Sequence, residues 1–139
     1  QRIMTKFNVM LEIIRNLKEG RSVGVLIDQD AERDCVFVPF LGELAGTLTV
    51  PAKLAVRYKV PVFCLVSHRV GHFKHRYRVI GPIEYPTTGD DAVEKTAHAF
   101  NDVLSQVILE HPEQWMWFHH RWREADKQGL TRLARGGTQ

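Results

Sequence analysis

Val23-Gly24-Val25-Leu26-Ile27-Asp28-Gln29-Asp30 is the stretch on which the fold turns. Its first five residues are apolar or small, and β-branched valine and isoleucine favour extended backbone. The run is strand-sized and stops abruptly on three polar residues. It reads as a short buried strand carrying two carboxylates at its carboxyl end. In open α/β sheets ligands bind beyond the carboxyl ends of strands. Asp28 and Asp30 are therefore candidates to orient a base, bind a hydroxyl or hold a metal. A polar turn, with aspartate capping the next segment, is the plain alternative.

Working outward, Ile3, Phe7, Met10, Ile14 and Leu17 recur at spacings of three and four, which predicts an amphipathic helix. Lys18 falls in its last turn and Gly20 just beyond, a normal helix stop. Downstream, residues 36–40 read as a second extended segment, with Pro39 arguing for an edge or irregular position. Residues 42–49 are small and polar and suit a loop. Residues 49–58 present Leu54, Ala55 and Tyr58 on one helical face, and Pro51 is tolerable in a first turn. Residues 61–67 read as a buried strand and residues 76–83 as a half-exposed one. Asp91-Ala92-Val93-Glu94 matches a capping box. Val93, Ala97, Phe100, Leu104 and Val107 then carry a helix to His111, where Pro112 ends it and starts another. The tail from Glu124 lacks apolar periodicity and reads as flexible. This order predicts an α/β fold, helices packed on a small mixed sheet, with 1–123 as the domain and 124–139 as the tail.

Composition bounds the possibilities. The 139 residues are 44% hydrophobic and 25% charged, which excludes wholesale disorder and fits one domain. The formal charge of +3 says little about partners. Cys35 and Cys64 are too few for a disulfide framework and read as reduced, buried thiols. No apolar run approaches the ~20 residues of a membrane-spanning helix. Because Gln1 falls directly into an apolar period, a portion N-terminal to it is expected.

Three other clusters could carry chemistry. Between His68 and Arg78 lie His68, Arg69, His72, Lys74, His75, Arg76 and Arg78 with no acid, a local positive field able to hold phosphate or an acidic carrier. His68, His72 and His75 have helical zinc-ligand spacing, but a hairpin connection need not bring them together, and the adjacent cations repel a metal. Residues 111–123 hold all three tryptophans among basic groups. That pattern suits a helix packed on a sheet, with Trp117 and Trp122 in the core, or a nucleic-acid surface. His119-x4-Glu124 formally satisfies an H-x4-D/E acyltransferase pattern, but it runs into the tail and reads as a chance match.

Three segments in order complete the sequence picture: Gly20-x-x-Val23-Gly24-Val25-Leu26-Ile27-Asp28-Gln29-Asp30, then Val36-Phe37-Val38-Pro39-Phe40-x-Gly42-x-x-Ala45-x-Thr47, then His111-Pro112-Glu113-Gln114-Trp115-x-Trp117-x-His119-x-Arg121-Trp122. Together they resemble the bacterial lipid A biosynthesis acyltransferases, the lauroyl/myristoyl family of the lysophospholipid acyltransferase superfamily. The resemblance implies the C-terminal portion of a glycerolipid-acyltransferase-like α/β domain. It implies transfer of an acyl chain from acyl carrier protein, or acyl-CoA, to a hydroxyl of a lipid A precursor or related glycolipid, with no cofactor and no metal. The family's H-x4-D/E base lies upstream of the matched part, so this chain alone is expected to be inactive. Asp28 is then the catalytic candidate nearest that base, and Asp30, Arg69, His119 and Arg121 are the substrate-binding candidates. The implied setting is the cytoplasmic face of the bacterial inner membrane, reached through the N-terminal region, with the fragment itself soluble. Unpaired strand edges make self-association a reasonable expectation. A stand-alone basic and aromatic module binding acidic lipid or nucleic acid is the alternative; nucleic acid is not expected under the family reading.

Overall fold

In a computed structural model of the chain, residues 9–132 are described. Helix α1 spans Val9–Lys18 and buries Ile13; Ile3 and Phe7, expected to begin this helix, lie outside the described residues. The helix ends as its sequence predicts. Gly20 adopts φ 71°, the Gly20 amide donates to the Leu17 carbonyl and the Arg21 amide to the Asn16 carbonyl. Those two bonds satisfy carbonyls that the helix leaves open.

The expected strand at residues 23–27 does not form. Among the described residues no strand pairs with the segment, and Leu26 is 83% exposed. An apolar run supplies strand propensity, whereas a strand also needs a partner's ladder of hydrogen bonds. Ile27, at the end of the run, packs against the core. Asp28 and Asp30 thus sit in a bend that follows an unpaired segment, not at the end of a sheet strand. The Ala31 amide anchors this bend by donating to the Gly46 carbonyl at 3.2 Å.

Strand β1 is Cys35–Phe40 and β2 is Glu43–Leu48. They pair antiparallel, with Phe40 opposite Glu43 and Cys35 opposite Leu48. The expected loop at 42–49 is therefore mostly strand. Its Ala-Gly-Thr sequence has weak strand propensity, and burial against the core and pairing with β1 override it. Leu41 and Gly42 make the two-residue turn, both at positive φ, 51° and 87°, the geometry that matches the twist of a tight hairpin. Pro39 pairs opposite Leu44; it costs no internal ladder bond because each strand of a two-stranded sheet is an edge.

Helix α2, Thr49–Tyr58, has the expected bounds, with Pro51 in its first turn and Lys59 as a left-handed cap. Strands β3, Cys64–Gly71, and β4, Lys74–Ile80, form a second antiparallel hairpin. The two hairpins are separate sheets, which corrects the expected single mixed sheet. The basic cluster lies along β3 and β4 themselves, not in a connection between them. β3 is not a buried strand either. The Leu65–Val79 and Ser67–Tyr77 pairs share one face, and Leu65, Tyr77 and Val79 on it are exposed because no other described element covers it.

The long helix α3, Ala92–Glu110, joins the parts. It packs against β1 and α2, burying Val38, Ala52, Ala55, Ala97 and Phe100 together. A second cluster joins Phe40, Ala45 and Ile108 to Trp115 and Trp122. Asp91 precedes α3 as expected but makes no capping bond; its carboxylate pairs with Lys95 at 2.7 Å. Pro112–Gln114 is a single 3-10 turn rather than a full helix. Helix α4, Arg123–Lys127, follows and buries Ala125, while the end of the expected flexible tail, residues 133–139, lies outside the described residues.

Candidate active site

The bend after the unpaired segment and the end of the tryptophan-rich stretch meet on β2. Gly46 makes this approach possible. A Cβ there would stand 2.9 Å from the Ala31 carbonyl oxygen and 3.3 Å from Asp30 Oδ1, so a side chain would push the aspartate segment away.

The Asp30 side chain is 1% exposed, and neither of its carboxylate oxygens has a hydrogen-bond partner. Arg123 Nε approaches Oδ2 only to 3.7 Å. Burial pushes the Asp30 carboxyl above its ordinary range; the Arg121 charge, the Glu124 backbone amide and the Arg123 charge pull it back only in part. A buried ionised group so weakly bonded is costly, and Asp30 keeps acceptor capacity beyond these weak contacts.

Arg121 is the counter-charge. It is fully buried, and burial lowers its pKa while Asp30 and Asp28 act in the opposite direction. Its Nη1 donates to the Gly46 carbonyl at 2.7 Å and its Nη2 to Thr47 Oγ1 at 3.0 Å. The guanidinium lies 4.7 Å from the centre of the Phe40 ring, a cation–π arrangement. Asn101 completes the network, donating to Thr47 Oγ1 at 2.9 Å and to the Pro39 carbonyl at 3.0 Å. Thr47 donates in turn to the Ala45 carbonyl. A short stretch of β1 and β2 is thereby fixed from both sides by buried polar groups.

The structure therefore brings Asp28, Asp30 and Arg121 into one electrostatic neighbourhood. Arg69 is not part of it. Arg69 stands exposed on β3, where its backbone is clamped by Gln114, which accepts from the Arg69 amide at 2.7 Å and donates to its carbonyl at 3.1 Å. The expected convergence of Asp28, Asp30 and Arg69 is not seen: Arg69 makes no hydrogen bond or ion pair with either aspartate. His119 lies two residues before Arg121, partly buried, with Nδ1 inside and unpartnered. Glu124 is committed to Lys127 at 2.7 Å, so His119 and Glu124 do not form a bonded base-and-acid pair. Trp122 packs on Phe40 and donates its indole N–H to the Phe40 carbonyl. Trp117, in contrast, is half exposed; its indole N–H bonds the Pro112 carbonyl at 2.6 Å. The stretch after Pro112 is a series of turns, and its aromatic rings do not all face one way.

His68, His72 and His75 do not converge, and among the described residues no group of three metal-ligating side chains could hold an ion. His68 instead stacks on His111 with ring centres 4.3 Å apart. Cys35 and Cys64 are free thiols, half-buried, each pushed up in pKa chiefly by burial. Among the described residues no helix is long and apolar enough to cross a membrane.

A profile of the family described as bacterial lipid A biosynthesis acyltransferase matches residues 1–124, which contain the whole Asp30–Arg121 cluster. The chain belongs to that family. It is 35% identical over 113 residues to the lipid A biosynthesis lauroyltransferase of Escherichia coli (strain K12), a match covering 80% of this chain and 37% of that protein. The chain thus spans little more than a third of the relative's length.

Gly46 and Asn101 are neighbours of this cluster that motif reading passed over, and Thr47 stood in a motif without an assigned role. For Asn101 a signal existed. It lies four residues beyond Ala97, on the apolar stripe of α3, where a buried amide needs partners.

Proposed function

We propose that the chain is the C-terminal part of an acyltransferase that moves a fatty acyl group from acyl carrier protein, or acyl-CoA, to a hydroxyl of a lipid A precursor or related glycolipid. The observation that carries this reading is the Asp30 carboxylate, buried in the field of Arg121 and Arg123 with no well-formed hydrogen bond to either oxygen, within the segment matched to the family. In the reaction, the acceptor hydroxyl oxygen attacks the thioester carbonyl. A C–O bond forms, the C–S bond breaks, and the hydroxyl proton passes through a general base to the departing thiolate.

The base is assigned to an H-x4-D/E motif N-terminal to this segment. The match to only 37% of the relative's length leaves room for it. Asp28 is assigned to the position nearest that base. Asp30 is assigned to accept a hydrogen bond from the acceptor hydroxyl or from the base's imidazole, and Arg121 holds it in place. His119 lines the same stretch, and Arg69 supplies a fork for phosphate on the exposed hairpin. The enzyme acts where its lipid acceptor lies, at the cytoplasmic face of the inner membrane. The test is acyl transfer to a lipid A precursor by this chain alone and by the protein that includes its N-terminal region. Turnover is expected only from the second; turnover by this chain alone would remove the assignment of the base.

A further inference from the structure

The tip of the β3–β4 hairpin is built differently from its base. Gly71 pairs with Lys74, so His72 and Phe73 form the turn. Phe73 is 88% exposed and sits at φ 55°, a conformation that a bulky residue adopts at a cost and that glycine or asparagine would adopt more easily. Val70, beside the register shift between Arg69 and Gly71, is exposed as well. Around these two apolar groups stand Arg69, His72, Lys74, His75 and Arg76, all exposed and, among the described residues, without an acidic partner. At the base the pattern reverses: Arg78 is neutralised by Glu110 at 2.7 Å. Arg69, Gly71, His72, Phe73 and His75 line a concavity of about 380 Å³.

We propose that this tip docks on the surface of an anionic lipid bilayer, with Phe73 and Val70 entering the interface and Lys74, Arg76 and Arg69 meeting the headgroup phosphates. Charge complementarity carries the choice of partner: no Asp or Glu lies between His68 and Arg78, and anionic leaflets attract such clusters. The protruding phenyl ring favours a bilayer over a purely polar polyanion, because an aromatic side chain gains by entering the headgroup region. This inference concerns membrane contact and stands independently of the catalytic assignments, so its test needs no turnover.

The test is co-sedimentation of the chain with vesicles of phosphatidylcholine alone or with added phosphatidylglycerol, at low and high salt. Binding is expected only to the phosphatidylglycerol vesicles, weakening as salt rises. Phe73→Asn, which keeps a residue tolerant of positive φ, lowers partitioning roughly tenfold. Lys74→Gln with Arg76→Gln lowers it roughly 30-fold. Circular dichroism verifies that each variant is folded. Failure of the unaltered chain to sediment with phosphatidylglycerol vesicles at low salt overturns the proposal. So does binding that folded Phe73→Asn and Lys74→Gln/Arg76→Gln variants leave unchanged. Capture by an immobilised acidic protein with no vesicle binding would assign the tip to a protein partner instead.

Discussion

Arg121 and Gly46, 75 positions apart in the chain, are joined by a 2.7 Å hydrogen bond from the guanidinium to the backbone carbonyl. That bond places a buried cation on β2, where the lack of a side chain at Gly46 has let Asp30 approach. The cation, the glycine and the carboxylate form one unit, and each part has a separable consequence.

Removing the cation takes away the stronger of the two positive charges acting on the buried carboxylate and leaves Arg123 alone, at 3.7 Å. Arg121→Met is expected to destabilise the protein by about 3–5 kcal/mol at neutral pH. Lysine should rescue little, because it lacks the planar fork that reaches both Gly46 and Thr47. Urea unfolding measures this; a loss under about 1 kcal/mol would mean that Arg121 is not the anchor of the site.

Thr47 Oγ1 accepts from Arg121 and Asn101 and donates to Ala45. Thr47→Val keeps the shape but strands two buried donors, at an expected cost of about 2 kcal/mol. Double-mutant cycles with Asn101→Ala should show strong non-additivity. Simple addition of the two effects would argue against a shared network.

The pH dependence of stability follows from Asp30. Its folded-state pKa is raised above the ordinary 3.8, chiefly by burial. The folded protein therefore holds that proton more tightly than the unfolded chain. The group's stabilising contribution is complete below 3.8 and is lost as pH rises through the raised folded value. Asp30→Asn cannot titrate there. Wild type should lose stability relative to Asp30→Asn across that window and run parallel to it above. Unfolding free energies of both proteins from acid to neutral pH measure the difference; a wild type that gains on the variant as pH rises contradicts the assignment.

Local patterning made much of the helical frame legible. The bounds of α2 and the course of α3 follow from apolar spacing, and Gly20 marks the end of α1 because its φ is left-handed. The strands were harder. Residues 23–27 have the composition of a buried strand, but composition does not supply a neighbour. Residues 43–48 lack that composition and form a strand because β1 and the core impose it. The β4 residues alternate as in a half-buried strand and β3 opens on a continuous apolar run that reads as buried, yet neither pattern says which face will be covered. The members of the buried charged cluster were legible by residue type at Asp28, Asp30 and Arg121. Their neighbourhood was not, because it depends on non-local approach across Gly46, and Arg69 was drawn into it by order along the chain alone.

The most direct test of the account is the acyl-transfer rate of the Asp30→Asn variant in the protein that includes the N-terminal region, beside wild type and with folding verified. The account predicts a fall in kcat of about 100-fold or more, with a folded protein whose stability at neutral pH is no lower than wild type. Unchanged turnover by a folded Asp30→Asn protein would contradict it.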